Sequence, residues 1–239
     1  MSTPTAATKF KVINGSSNLM SKNVLGHVGM GTGEFEPFNQ SYRSGLLVTP
    51  DDILAGKVDG LVIWGGADIS PSIYNEPVGP HTGASEQLSY RDRKEVAAVE
   101  AAIKVGIPLI GVCRGAQLMC AMAGGKLVQD VQGHFGSHDM LTSDGRTIRT
   151  TSVHHQMMYP FLLPDDEYDL LAWAAPARST TYVGMDPERM KDFDGNIIEP
   201  EVVYFHKINA LAIQGHPEFV RDPQDPFVVY CNDLVKEYL

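Results

Sequence analysis

Cysteine is scarce in this chain, three in 239 residues, and the three show no paired spacing. That argues against a disulfide framework and fits a reducing compartment. Basic residues are also few, 19 Lys and Arg against 29 Asp and Glu, for a formal net charge of −10. A nucleic-acid surface would need clustered Lys and Arg, so no nucleic-acid partner is expected. No apolar run approaches a membrane span, and the opening MSTPTAATKF has no apolar core of signal-peptide length. The expectation is a cytoplasmic protein with no membrane partner. Internal repeats, low-complexity tracts and linker-like stretches are lacking too. Residues 1–8 read as a small, polar tail, and 9–239 as a single domain large enough for one core.

What is present centres on IPLIGVCRGAQLMCAMAGG, Ile107 to Gly125. Ile107 to Val112 is a short apolar run with β-branched residues, suited to a strand buried on both faces. Arg114 to Ala123 is rich in good helix formers, and Gly124-Gly125 supplies a C-terminal stop. Cys113 sits at the joint, with Gly111 two residues before it and Gly115 two after. A nucleophile on a sharp strand-to-helix turn needs small residues there, because the turn brings backbones together. The start of a helix also favours negative charge, which suits a thiolate nucleophile.

Around this stretch the chain alternates. Phe10 to Ile13 reads as a first strand. Asn14 to Ser44, with five glycines, reads as a long loop on the substrate side rather than a phosphate loop, since GMGTGEF lacks the GxGxxG spacing. Leu46 to Thr49 and Asp59 to Trp64 read as strands. Ser89, with Asp92 three residues on, predicts a capped helix through RDRKEVAAVEAAIKVG. Its apolar face would carry Val96, Ala97, Val99, Ala102 and Ile103. Strand, helix, strand, helix in succession implies a parallel sheet with right-handed crossovers. The second half reads as β-structure, with strands at Lys126 to Asp130, Thr147 to Val153, Tyr168 to Ala172, Val202 to Phe205 and Ala210 to Gln214. Asp225 to Leu239 reads as a closing helix.

A thiolate nucleophile needs a base, and the base an orienting group. Gln214-Gly215-His216-Pro217-Glu218 follows an apolar strand and offers both. On extended backbone His216 and Glu218 point to one side, about 6.6 Å apart along the strand. Pro217 donates no ladder hydrogen bond, so the pair belongs at a strand end, where open parallel sheets bind ligands. His134 and His138 stand four apart, but Gly133 and Gly136 argue against a helix that would align them on a metal. His154-His155 would face opposite ways on a strand. These four read as loop or pocket histidines, and no metal or cofactor is expected.

GVCRGAQ, WGGADISPSIY, RDRKE, HHQ and QGHPE, in that order, resemble the class I glutamine amidotransferase-like proteins. They are most like the γ-glutamyl hydrolase branch (peptidase C26-like), which includes bacterial γ-glutamyl-GABA hydrolases. The resemblance runs from about Leu46 to Phe219. It implies an α/β fold, a flavodoxin-like three-layer sandwich with a mostly parallel central sheet. It also implies a triad of Cys113, His216 and Glu218, with Cys113 attacking a γ-glutamyl carbonyl to form a thioester that water then hydrolyses. By position, the backbone N–H groups of Gly66 and Arg114 would hold the oxyanion. Gln117, Ser152, His155 and Gln156 match positions lining the glutamyl part of the substrate. The region before Leu46 and the polar insertion Met185 to Pro200 depart from the family, and both bear on the leaving-group side.

Three readings follow. The leading one is a hydrolase of γ-glutamyl amide bonds acting alone on a small γ-glutamyl substrate or glutamine, and Arg114 with the RDRKE helix start leans towards it. The second is a glutaminase subunit passing ammonia to a synthetase partner in trans. The third is a non-catalytic binding module on the same fold. A homo-oligomer is compatible with all three.

Overall fold

The structure, a computed structural model, describes residues 22–29 and 36–239. In chain order the elements are β1 (Lys22–His27), β2 (Tyr42–Leu47), α1 (Pro50–Leu54), β3 (Gly60–Ile63), α2 (Tyr90–Val105), β4 (Leu109–Val112) and α3 (Arg114–Ala123). There follow β5 (Lys126–Val128), β6 (Asp130–Val131), β7 (His138–Thr142), β8 (Thr147–Thr150), β9 (Met157–Tyr159), β10 (Tyr168–Ala174) and β11 (Tyr182–Val183). β12 (Pro200–Phe205), β13 (Ala210–Ile213) and α4 (Pro226–Tyr238) complete the chain.

Nine strands form one sheet in the order β2-β1-β3-β4-β13-β12-β10-β7-β8. The strands from β2 to β13 run parallel to their neighbours, and from β13 outward the pairings are antiparallel. The α/β sandwich expected from the strand–helix alternation is therefore present, and the β-rich second half supplies the antiparallel wing. Side chains alternate between its faces as the period of a strand requires. Leu61, Ile63, Leu109, Ala210 and Ala212 pack with α1, α2 and α3. Val62, Ile110, Val112, Leu211 and Ile213 meet Phe227, Tyr230, Cys231, Leu234 and Val235 of α4 on the other face.

Sequence signals set several boundaries. Ser89 and Asp92 form a reciprocal capping box at the start of α2, and Gly106 closes that helix in the left-handed region. The buried face of α2 is rotated from the expected one. Ala98, Val99, Ala101 and Ala102 are buried, Ile103 is exposed, and Asp92 and Glu95 are buried as well. The reason is ionic: both carboxylates face Arg114.

Other expectations differ from the structure. The expected strand at 10–13 and the tail at 1–8 lie outside the described residues. Part of the stretch read as a loop is strand β1, which pairs with both β2 and β3. The 185–200 insertion has order of its own. It holds a 3-10 turn, Pro187–Met190, with Met190 buried in a small cluster beside Val128, Val131, Met157 and Tyr159.

Candidate active site

Cys113 occupies the turn between β4 and α3 with φ 51 and ψ −107, a conformation that costs a non-glycine residue energy. The surroundings hold it there. A methyl group on Gly111 would lie 2.5 Å from the Gly115 carbonyl oxygen, and one on Gly115 would overlap the Ile63 carbonyl oxygen. Both glycines are thus needed for the close approach of α3 to β3 and β4. The N–H of Cys113 donates to the Ile213 carbonyl at 2.8 Å, which fixes the turn to β13.

β13 leads into Gln214-Gly215-His216. The His216 N–H donates to Thr151 Oγ1 at 2.9 Å, and Thr151 Oγ1 donates to the His216 carbonyl at 2.8 Å. His216 Nδ1 lies 2.7 Å from Glu218 Oε1. The pair does not meet along extended backbone as expected. The chain turns into a 3-10 segment, Pro217–Phe219, and this turn brings the carboxylate back onto the imidazole. Phe219 stacks on the imidazole, ring centroids 4.4 Å apart and planes 2° off parallel.

Cys113 and His216 converge on Gly65. A methyl group there would lie 2.8 Å from His216 Cε1 and 3.4 Å from Cys113 Cβ. His216 Nε2 makes no aligned hydrogen bond. Burial acts to lower the His216 pKa, but the neighbouring Cys113 thiol and the Glu218 carboxylate outweigh it and raise the pKa to about 9. The thiol therefore lies beside the imidazole without a fully formed bond. Cys113, His216 and Glu218 border a cavity of about 310 Å³, together with Gly65, Gly66 and Val153.

Gly66 has φ 147, and a side chain there would collide with Arg91. Arg91 Nη2 donates to the Trp64 carbonyl at 3.0 Å and the Gly65 carbonyl at 2.9 Å, while its Nε donates to Glu95 at 2.7 Å. Glu95 in turn pairs with Arg114, whose other nitrogen reaches Asp92 at 2.6 Å. A continuous ionic network therefore joins α2, the residue after Cys113 and the glycine loop. The sequence reading placed the Arg114 N–H at the site and missed Arg91, Asp92, Glu95 and Phe219. The Arg91–Glu95 spacing of four in RDRKE was a visible signal.

None of Gln117, Ser152, His155 and Gln156, the four residues expected at the glutamyl part of a substrate, is among those lining this cavity. Gln117 Nε2 donates to the Gln156 carbonyl at 2.9 Å, and Ser152 Oγ to the His134 carbonyl at 2.6 Å. His155 sits between Asp68 at 3.1 Å and Asp130 at 3.3 Å. Gln156 Nε2 donates to the Gln129 carbonyl at 3.4 Å, with its Oε1 buried and unpartnered. Val153, in the same segment, is the residue that reaches the cavity.

Residues 50–160 match the Peptidase C26 family. Protein NtpR of Enterococcus hirae is 27% identical over 172 residues, 68% of this chain and 67% of that protein. A putative glutamine amidotransferase-like protein, YvdE, of Lactococcus lactis is 43% identical over 74 residues, 31% of this chain. Over part of its length this chain is similar to the class I glutamine amidotransferase-like proteins. The match covers only 30% of the Lactococcus relative's length. Among solved structures, a glutamine amidotransferase from Thermotoga maritima superposes with a TM-score of 0.51 at 18% identity. The superposition covers 91% of this chain and 85% of that one, which is agreement of fold. Among the described residues, no helix is long and apolar enough to cross a membrane.

Proposed function

We propose that this protein is a cysteine-dependent hydrolase of γ-glutamyl amide bonds that acts without a synthetase. The observation that supports it is Cys113 at a strained elbow, beside a His216–Glu218 pair on the same cavity. In this reading His216 takes the thiol proton and the sulfur attacks the γ-carbonyl carbon. The carbonyl oxygen gains negative charge, which the backbone N–H groups of Gly66 and Arg114 stabilise. The C–N bond breaks as the imidazolium gives its proton to the departing amine. Water, deprotonated by His216, then attacks the thioester, and glutamate leaves with the thiol restored. Glu218 holds Nδ1 protonated, so Nε2 is the nitrogen that handles the proton. The raised pKa of His216 suits the first half, in which the imidazolium must survive long enough to protonate the amine.

The leaving amine would sit towards residues 67–93, where a second, larger hollow of about 690 Å³ opens beside Asp68, Ser85, Tyr90 and Arg91. The test is glutamate release from L-glutamine and from a panel of γ-glutamyl amines and peptides. Release from an amine or peptide by the purified chain, lost in Cys113→Ala with the thermal melt unchanged, is the expected result. Release from glutamine alone, and only with a synthetase added, would favour the subunit reading. Substantial turnover by Cys113→Ala on the true substrate would rule out the thioester.

A further inference from the structure

Away from Cys113, the antiparallel wing buries a second set of ionisable side chains that the proposed hydrolysis does not use. His134, His138, His154, Glu199 and Glu201 are each 3% exposed or less. No helix aligns His134 with His138, yet β7, β12 and the bridge of Phe135 to Val153 bring the side chains together. Glu201 Oε1 lies at the centre: 2.8 Å from His138 Nε2, 3.3 Å from His134 Nδ1 and 3.9 Å from His154 Nε2. We propose that His134, His138, His154 and Glu201 form a buried binding site for a divalent transition metal, of the zinc type.

Three observations carry this. The first is spacing. Zinc bonds of about 2.0–2.1 Å in a tetrahedron place neighbouring ligand atoms about 3.3 Å apart. The His138 and His134 distances to Glu201 lie near that value, and ligand atoms of these three residues all fall within 4.8 Å of one another; His154, 3.9 Å from Glu201, would swing in as the fourth. The second is orientation of the imidazoles. His134 Nε2 lies 3.1 Å from Glu199 Oε2, and His154 Nδ1 lies 2.9 Å from the Gln156 carbonyl oxygen. The carbonyl can only accept, so His154 Nδ1 carries a proton and a neutral ring presents a lone pair at Nε2. Glu199 acts likewise on His134 and leaves Nδ1 as the lone pair. Such outer carboxylate and carbonyl partners are how metal-binding histidines are held. Accordingly His134 Nδ1, His154 Nε2 and Glu201 Oε2 are buried with no aligned hydrogen-bond partner.

The third is charge. Glu199 and Glu201 are buried, and among the described residues neither forms an ion pair with a Lys or Arg. Glu199 is otherwise satisfied by the N–H groups of Arg178 and Ser179 and by the Tyr182 hydroxyl. Two buried carboxylates call for two positive charges, which one divalent cation supplies. Nitrogen-rich ligands with one carboxylate select zinc or a neighbour in its row over magnesium or calcium. The site would tie β7 and β12 to His154, next to Val153 of the catalytic cavity.

The alternative source of positive charge is protons on the histidines, and one experiment separates the two. The full chain is produced in medium containing Zn²⁺ or Co²⁺, so that the closed site fills as the protein folds, and is then dialysed against EDTA. Cys113→Ala is carried through in parallel to exclude metal held by the catalytic thiol. Stoichiometric retained metal is expected in both proteins. The cobalt form should show tetrahedral d–d absorption without a thiolate charge-transfer band. Glu201→Gln and His154→Asn should each lower affinity at least about tenfold. Should Glu201→Gln fail to fold, His154→Asn and the wild-type cobalt spectrum still decide. Absence of retained metal from folded wild type, or metal that follows Cys113 and ignores His154 and Glu201, would overturn the proposal in favour of a proton-held network.

Discussion

Replacing Arg114 by Met tests what the ionic network contributes. The guanidinium is 1% exposed and pairs with both Asp92 and Glu95, themselves at 1% and 0%. Met keeps most of the volume and removes the charge. Glu95 then retains Arg91 at 2.7 Å, while among the described residues Asp92 retains only the Ser89 N–H at 2.9 Å as a side-chain partner. Breaking a buried pair by removing one partner costs about 3–5 kcal/mol, because the stranded charge stays desolvated. With Glu95 still partnered, the lower end applies, about 3 kcal/mol. For a urea dependence of about 3 kcal/mol per M, the unfolding midpoint should fall by about 1 M. Adding Asp92→Asn and Glu95→Gln removes the stranded charges and should restore at least about half of the loss. The pH dependence has a definite sign. A buried carboxylate without its partner has a folded pKa above its unfolded value, so the variant gains stability relative to wild type as the pH falls. A loss under about 1 kcal/mol, a triple variant no better than the single one, or no relative gain in acid would refute this account.

Alkylation should discriminate sharply among the thiols. Cys113 is 6% exposed and borders the cavity, whereas Cys120 and Cys231 are at 0%. Burial pushes the Cys120 thiol up to about 12 and raises that of Cys231 as well. Iodoacetamide should therefore modify Cys113 first, with His216→Asn slowing it more than Glu218→Gln, read by peptide mass spectrometry; equal rates at all three would contradict the site. Gly115→Ala should destabilise the fold by about 1–3 kcal/mol or more and depress turnover, since its methyl meets the Ile63 carbonyl; a thermal melt and activity equal to wild type would show that the elbow tolerates a side chain. His216 has a folded pKa of about 9 against an ordinary 6.5. Its contribution to stability should be full below about pH 6.5 and lost as pH rises through about 9. Denaturation from pH 6 to 10 on wild type and His216→Asn measures it, and parallel curves would remove His216 as the cause.

Much of the site was legible because its residues are local signals. Gly111, Cys113 and Gly115 encode a turn within five positions, and Ser89 with Asp92 encodes a helix start. The His216–Glu218 pairing was visible too, though its route was not. Pro217 was read as ending a ladder, whereas it opens a 3-10 turn. What stayed hidden depends on distant partners. Asp92 and Glu95 look like a solvated helix face until Arg114 is placed beneath them. Ile103, apolar and correctly spaced, is left outside because the charged pair turns α2. Cys231, too, is placed only by distant partners: α4 lays it against the sheet with no exposure. His134 and His138 show the same limit in reverse: their spacing of four suggested a helix or nothing, and sheet topology found another way to join them.

The position of β13 has a consequence for biosynthesis. It is among the last strands made, yet it is inserted in mid-sheet, between β4 and β12. A ribosome-bound chain that has already emitted the cysteine elbow must keep the flank of β4 open until about a hundred further residues have appeared. Until then Cys113 has neither His216 beside it nor the Ile213 carbonyl that anchors its turn. Late insertion acts as an assembly interlock: under the proposed hydrolysis, a truncated or stalled chain carries the thiol but not its base. The same delay leaves the edge of β4 unpaired during synthesis, the interval in which this protein is most exposed to mispairing and aggregation.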